Sequence, residues 1–188
     1  KNVDDLLDLY HICEWFDVEF SNSTMHNSFY FHKHDNEVQN LEHTIPEMNR
    51  FIKALLTSKR KNLKMRLKDW GRAYINQGLV NYLQGNQRFI PCGAATDSYF
   101  LDPFGQILAC NGSDEPWVMG NLHNASFEDI WTSKQAEEAR RNVKACTKNC
   151  WMMGTAVPAM RSRPWIPARW IASNKLKLLF GHAPFNSK

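Results

Sequence analysis

At 188 residues the chain is long enough for one domain with a sizeable core, or for a smaller domain carrying part of a neighbour. Its 43% apolar and 22% charged residues argue against general disorder, and no apolar run approaches the roughly 20 residues that span a bilayer. The net charge of +4 is mild, and no basic–apolar–small signal pattern opens the chain, which points to the cytoplasm.

Apolar residues recur at helical spacing from Val3 through Leu6, Leu7, Leu9, Tyr10, Ile12 and Cys13, and Phe16 to Phe20 then alternates as a strand does. A helix feeding one strand cannot bury its own surfaces, so residues 1–40 read as the tail end of a larger unit. Ser21 to Asn40 is polar, carries His26, His32 and His34 with Phe29, Tyr30 and Phe31 embedded, and reads as a loop flanking a short strand. Thr44-Ile45-Pro46-Glu47 is a capping box that predicts a helix with a buried stripe of Ile45, Met48, Phe51, Ile52, Leu55 and Leu56. A basic linker, Lys59-Arg60-Lys61, leads to a second helix with Leu63, Leu67, Trp70 and Tyr74, interrupted at Gly78 and ended by Gly85. Residues 41–88 thus form a helical linker.

The next part, residues 89–155, is organised differently. Tyr99 to Leu101 and Gln106 to Cys110 predict two short strands joined at Asp102-Pro103-Phe104-Gly105, because Pro presets φ for a turn and Gly accepts φ > 0. Ser126, with Asp129 three residues on, caps a helix that runs through Ile130, Trp131, Ala136, Ala139 and Val143 and delivers the chain to Cys146. Residues 156–188 are a basic, aromatic tail with a helix from about Ala168 to Phe180, and no Asp or Glu occurs from Ala139 onward. Its Trp165, Ile166, Trp170, Ile171, Leu176, Leu178, Leu179 and Phe180 are more apolar surface than a phosphate-binding arm needs, so docking over the cluster domain and against a barrel outside this sequence is expected ahead of nucleic-acid binding.

Five cysteines do not close a disulfide framework. Cys92 lies before the hairpin and Cys110 at its exit, while Cys146 and Cys150 follow a helix C-terminus, so two pairs on two elements offer a four-sulfur site. Three readings stay open at this point. One is an iron–sulfur cluster; another is a tetrahedral zinc module whose basic tail engages RNA or an acidic partner, although the spacing from Cys92 to Cys110 is long for a zinc knuckle. The third is buried structural thiols with no ligand, which would leave the paired placement on hairpin and loop unexplained. Cys13, in an apolar helical pattern, reads as core.

The spacing Cys92-x12-Gly105-x4-Cys110, the Asp-Pro-Phe-Gly turn, Met119-Gly120-Asn121-Leu122, Ser126-Phe127-Glu128-Asp129-Ile130-Trp131 and Cys146-x3-Cys150 occur in the order found in a known family. Over roughly Pro91 to Trp151 the chain resembles the SPASM/twitch auxiliary domains of radical S-adenosylmethionine enzymes. The full SPASM form has seven cysteines and two clusters; the shorter set here resembles the twitch form. The resemblance implies an α+β fold, with a hairpin-and-helix cluster domain preceded by the last strands and helix of a partial β/α barrel. It implies one auxiliary cluster, of 4Fe-4S type, held by Cys92, Cys110, Cys146 and Cys150, and serving electron transfer or substrate positioning. It further implies that S-adenosylmethionine and a second 4Fe-4S cluster belong to a barrel upstream of Lys1, because no Cys-x3-Cys-x2-Cys occurs in the sequence. That barrel is then the expected partner, a peptide or small molecule the substrate, and the chain alone is not expected to be catalytic. Trp117 and Trp151 are candidates for excluding water from the cluster, and the backbone around Gly112 and Gly120 for hydrogen bonds to sulfur.

Overall fold

The computed structural model describes residues 2–30, 32–33 and 35–182, so the expectations placed on Phe31, His34 and Lys188 lie outside the described residues. The chain is α+β. Its elements are α1 (Leu6–Trp15), α2 (Leu41–Leu56), α3 (Leu63–Leu83), β1 (Phe100–Leu101), β2 (Gln106–Leu108), β3 (Val118–Asn121), α4 (Phe127–Trp131), α5 (Lys134–Ala145), α6 (Met153–Ser162) and α7 (Trp165–Leu179). They divide into two compact units, one of Lys1–Thr24, Val38–Asn86 and Arg163–Lys188, the other of Met25–Glu37 and Gln87–Ser162. Among the described residues no helix is long and apolar enough to cross a membrane.

In the first unit α2 buries Met48, Phe51, Ile52, Leu55 and Leu56, the i, i+3, i+4, i+7, i+8 stripe of an amphipathic helix. The helix begins ahead of the Thr44 box, at Leu41, because the Asn40 carbonyl already accepts from His43 and Thr44 N–H groups. Pro46 therefore lies inside it, where its missing N–H leaves the first-turn carbonyl of Glu42 without its usual donor. Helix α3 starts at Asn62, whose side-chain oxygen accepts from the Lys64 and Met65 N–H groups. Gly78 does not interrupt it: the helix continues to Leu83, and Gly85, at φ +73°, ends it. Its buried face carries Met65, Asp69 and Ala73, whereas Leu63 and Leu67 are exposed.

Further expectations for this unit are corrected. Phe16 to Phe20 forms no strand; its backbone is held by a side chain, with Arg60 Nη2 donating to the Val18 carbonyl at 3.0 Å and Nη1 to the Cys13 carbonyl at 3.3 Å. Arg60, in the basic linker, is consequently buried. The tail helix α7, expected over the cluster domain, instead belongs to the first unit and packs on α3 and α2 there, because its apolar face meets theirs. The Trp170 ring is edge-on to Tyr74 at 5.4 Å, and Lys175 Nζ donates to the Leu56 carbonyl at 2.8 Å. It starts before Ala168, at Trp165, since Pro167 falls in the first turn where its missing N–H costs nothing.

The second unit is built around a small antiparallel sheet of order β1-β2-β3. The hairpin pairs Phe100 with Leu108 and Leu101 with Ile107. Asp102 makes the turn, its Oδ1 accepting from Phe104 N–H and Gln106 N–H at 2.8 Å each, and Gly105 supplies φ +78°. Strand β3 adds to β2, and Gly120 in it allows close packing, since a Cβ there would stand 2.8 Å from Ile130 Cγ1. The helix expected from Ser126 to Val143 is broken in two. Ser126 caps α4 through Asp129 N–H as expected, but Ser133 Oγ accepts from Ala136 N–H at 3.1 Å and starts α5. Helix α6, with Pro158 inside it, was not signalled by the apolar pattern.

Candidate metal centre

Cys92 opens a tight loop. The Gly93 carbonyl accepts from Thr96, Asp97 and Ser98 N–H groups, and a Cβ on Gly93 would fall 2.4 Å from Asp97 Oδ2, so a larger residue there would displace the Asp97 side chain. The loop is held to the helical side of the unit by Arg140, which donates to the Ala95 carbonyl at 3.0 Å and the Trp131 carbonyl at 2.6 Å with its guanidinium over the Trp131 ring. Cys110 follows β2, after Ala109 N–H bonds to the Trp117 carbonyl. Cys146 is the C-cap residue of α5, and the chain then turns through Thr147, Lys148 and Asn149 to Cys150.

The four thiols line one cavity of about 430 Å³, in the size range of small-ligand sites. Each is half-buried and none is in a disulfide. Among the described residues no three His, Cys, Asp or Glu side chains converge as a single-ion site demands, so the thiols stand around a space and not on a point. Trp117, Val143 and Met152 supply apolar wall. The charged residues of the lining are Arg88, Lys144 and Lys148, with no carboxylate among them. Cys13 belongs to α1 in the first unit and is not part of the lining.

Burial pushes the Cys150 thiol up to about 11; nearby Arg88 works against the shift, and Cys92, Cys110 and Cys146 add to it. At neutral pH this thiol is protonated, and holding a metal there must release a proton. Its backbone is firmly anchored. Arg88 Nη1 donates to the Cys150 carbonyl at 2.6 Å, Arg88 Nε donates to the Ile90 carbonyl at 3.2 Å, and the guanidinium lies 5.2 Å from the Trp151 ring centre. Trp151 N–H donates to His26 Nε2 at 3.2 Å, which fixes the proton of that neutral ring on Nδ1. On the other side, Lys148 Nζ donates to the Gly112 carbonyl at 3.1 Å.

The donor set fits an iron–sulfur group: four thiols, with no carboxylate or imidazole in the lining, around a partly apolar space. Trp117 and Gly112 border that space as expected. Trp151 is buried behind it as an anchor, against Phe89 and Arg88. Gly120 is elsewhere, paired with Ile107 in the sheet, and offers no N–H to the cavity. His26 has its place in the anchoring of Trp151, whereas His32 is exposed in a turn at φ 52°. Arg88 escaped the sequence reading because a single Arg ahead of a cysteine carries no periodicity or spacing signal. Only the fold brings it to Cys150.

A four-thiol cavity lies between a β-hairpin and a helix C-terminus, a donor set suited to a metal group. Residues 92–151 match the family model of the SPASM iron–sulfur cluster-binding domain. No curated protein and no solved structure matches the chain. Iron–sulfur binding is thereby favoured over the zinc alternative.

Proposed function

We propose that this chain provides the auxiliary-cluster part of a radical S-adenosylmethionine enzyme, with Cys92, Cys110, Cys146 and Cys150 as the ligands of one 4Fe-4S cluster. The observation that carries the proposal is that these four residues, alone among the cysteines, line a single cavity within the matched segment. Bound there, a cluster supplies one-electron exchange. Four protein thiolates leave no iron of such a cluster open, which favours electron transfer over direct ligation of substrate. Trp117, Val143 and Met152 keep water off the group, Arg88 and His26 hold the Cys150–Trp151 backbone, and Lys148 holds the Gly112 loop. The catalytic cluster and S-adenosylmethionine would be bound by polypeptide outside this sequence, which contains no Cys-x3-Cys-x2-Cys. The substrate, a peptide or small molecule, would be chosen there too.

Anaerobic reconstitution with iron and sulfide tests the assignment. Brown protein with broad visible absorption, an electron-paramagnetic signal after reduction, and about four irons and four sulfides per chain are expected. Colourless protein that retains stoichiometric zinc and takes up no sulfide would overturn it.

A further inference from the structure

Buried polar atoms find partners in folded proteins, and one that does not requires an explanation. Arg88, itself half-buried, carries such an atom. Two of its three guanidinium nitrogens are engaged, Nη1 by the Cys150 carbonyl at 2.6 Å and Nε by the Ile90 carbonyl at 3.2 Å. The third, Nη2, is buried and has no hydrogen-bond partner, and the side chain lines the four-cysteine cavity. The other two cations of that lining are differently placed. Lys144 is exposed, and Lys148 already serves the Gly112 carbonyl and the Asp114 carboxylate. With no carboxylate in the lining, the cavity offers Arg88 no counter-charge of its own.

We infer that Arg88 is a positioning and charge-compensating residue for the group the four cysteines bind, its free Nη2 donating to a sulfur of that group, an assignment that rests on the function proposed above. Four thiolates around an iron–sulfur core leave a net negative site, and a guanidinium at its edge meets that charge. The same side chain joins the segment just before the first ligand to the last ligand, through Ile90 and Cys150, and its stacking on Trp151 keeps it in place. Reduction adds negative charge, so a fixed cation beside the site favours the reduced form and raises the reduction potential. Lysine keeps the charge but lacks the planar fork that reaches two carbonyls at once.

The experiment uses the 188-residue chain, reconstituted anaerobically as wild type, Arg88→Met and Arg88→Lys, with iron and sulfide content and midpoint potential measured on each. Arg88→Met is expected to shift the reduction equilibrium about tenfold toward the oxidised form, about 59 mV lower for one electron. Arg88→Lys is expected to hold the potential near wild type while losing iron faster to a chelator. An Arg88→Met protein with full iron and sulfide and an unchanged potential overturns the inference. If Arg88→Met takes up no cluster, Arg88→Lys decides: loading at the wild-type potential supports charge compensation, and failure to load overturns it in favour of a purely structural clamp. A wild type that binds no iron and sulfide brings down the proposed function itself, a result distinct from a normal cluster indifferent to Arg88.

Discussion

The two units treat buried polarity in opposite ways. In the first, a buried carboxylate is answered from within: Asp69 Oδ2 accepts from Tyr10 Oη at 2.9 Å, Ser58 Oγ at 2.6 Å and Arg60 Nε at 3.0 Å, over a core that includes Phe51, Ile52, Leu55, Leu56 and Leu79. Burial also pushes the Tyr10 hydroxyl well above its ordinary range, so it stays a donor. In the second, the central polar groups are four thiols around a cavity, and the core beside them is made largely of small residues, Ala94, Ala95, Ala109, Ala136 and Ala139 with Ile107, Met119, Ile130 and Val143. A core of small residues buries little apolar surface per side chain and gains from a metal or other cross-link. The first unit thus pairs its buried charge from within, whereas the second, on the function proposed above, relies on a ligand held by its thiols.

The largest effect should come from removing that ligand. Structural thiolate metal sites contribute on the order of 10 kcal/mol to folding. Replacing Cys92, Cys110, Cys146 or Cys150 singly by Ala is expected to empty most of the site and to accelerate hydrogen exchange across β1–β3 and α5, leaving α2 and α3 little changed. Cys13→Ala is expected to leave iron and sulfide content at the wild-type level. Iron analysis with peptide-resolved exchange on the five variants reads both, and equal iron loss in the Cys13 variant would refute the ligand set.

Next in size is the first unit's own polar centre. Asp69→Ala leaves the Arg60 guanidinium buried without its main counter-charge and should cost about 3–5 kcal/mol, seen as a lower denaturation midpoint. The exchange pattern should be the reverse of the cysteine variants, fast in α1–α3 with the iron content intact. Loss of iron at the same step would show that the units do not divide the labour as described.

What could be read from the sequence follows the range of the interactions. The Asp102–Gly105 turn, the Ser126 cap and the Met48 to Leu56 stripe are set by neighbours a few residues apart, and they stand in the structure as their spacing implies. The four cysteines were legible as a set because their spacing around the hairpin and the α5 terminus carries the pattern. The burial of Arg60 within the basic linker carries no signal of its own, because it depends on contacts with Asp69 and Val18 that only the fold supplies. His26 and Arg88 were hidden for the same reason: their partners, Trp151 and Cys150, lie far along the chain. The break between α4 and α5 was in principle readable, since Ser133 is a second capping residue, but the apolar spacing of Ile130, Ala136 and Ala139 masks it.

A smaller effect tests how tightly the second unit's little core is packed. A methyl group at position 120 would meet Ile130 Cγ1 at 2.8 Å and Cγ2 at 2.9 Å, so Gly120→Ala should destabilise by about 1–3 kcal/mol. Pairing it with Ile130→Ala should make the double variant less destabilised than the two single changes added together, measured by denaturant titration of the cluster-loaded chain. Simple additivity would mean that Ile130 moves aside freely, and that the core is looser than the close approach implies.

The smallest effect lies on the surface of the first unit and has a defined sign. Glu19 is held below the usual carboxylate range, first by its hydrogen bond from Lys68, against some desolvation, and then by the bond from Arg72 at 2.8 Å. A carboxyl whose folded value is depressed stabilises above its unfolded value of 4.5, and that contribution is lost as pH falls through the folded value. Because Glu19 is 40% exposed, water and salt weaken the pair to at most about 1 kcal/mol. Glu19→Gln should therefore lower stability slightly at neutral pH and not at all once the wild-type carboxyl is protonated, so the two denaturation curves converge as pH falls below 4.5. The gap should also shrink in high salt at neutral pH. A gap that persists unchanged in acid would show that Glu19 contributes by packing and not by charge.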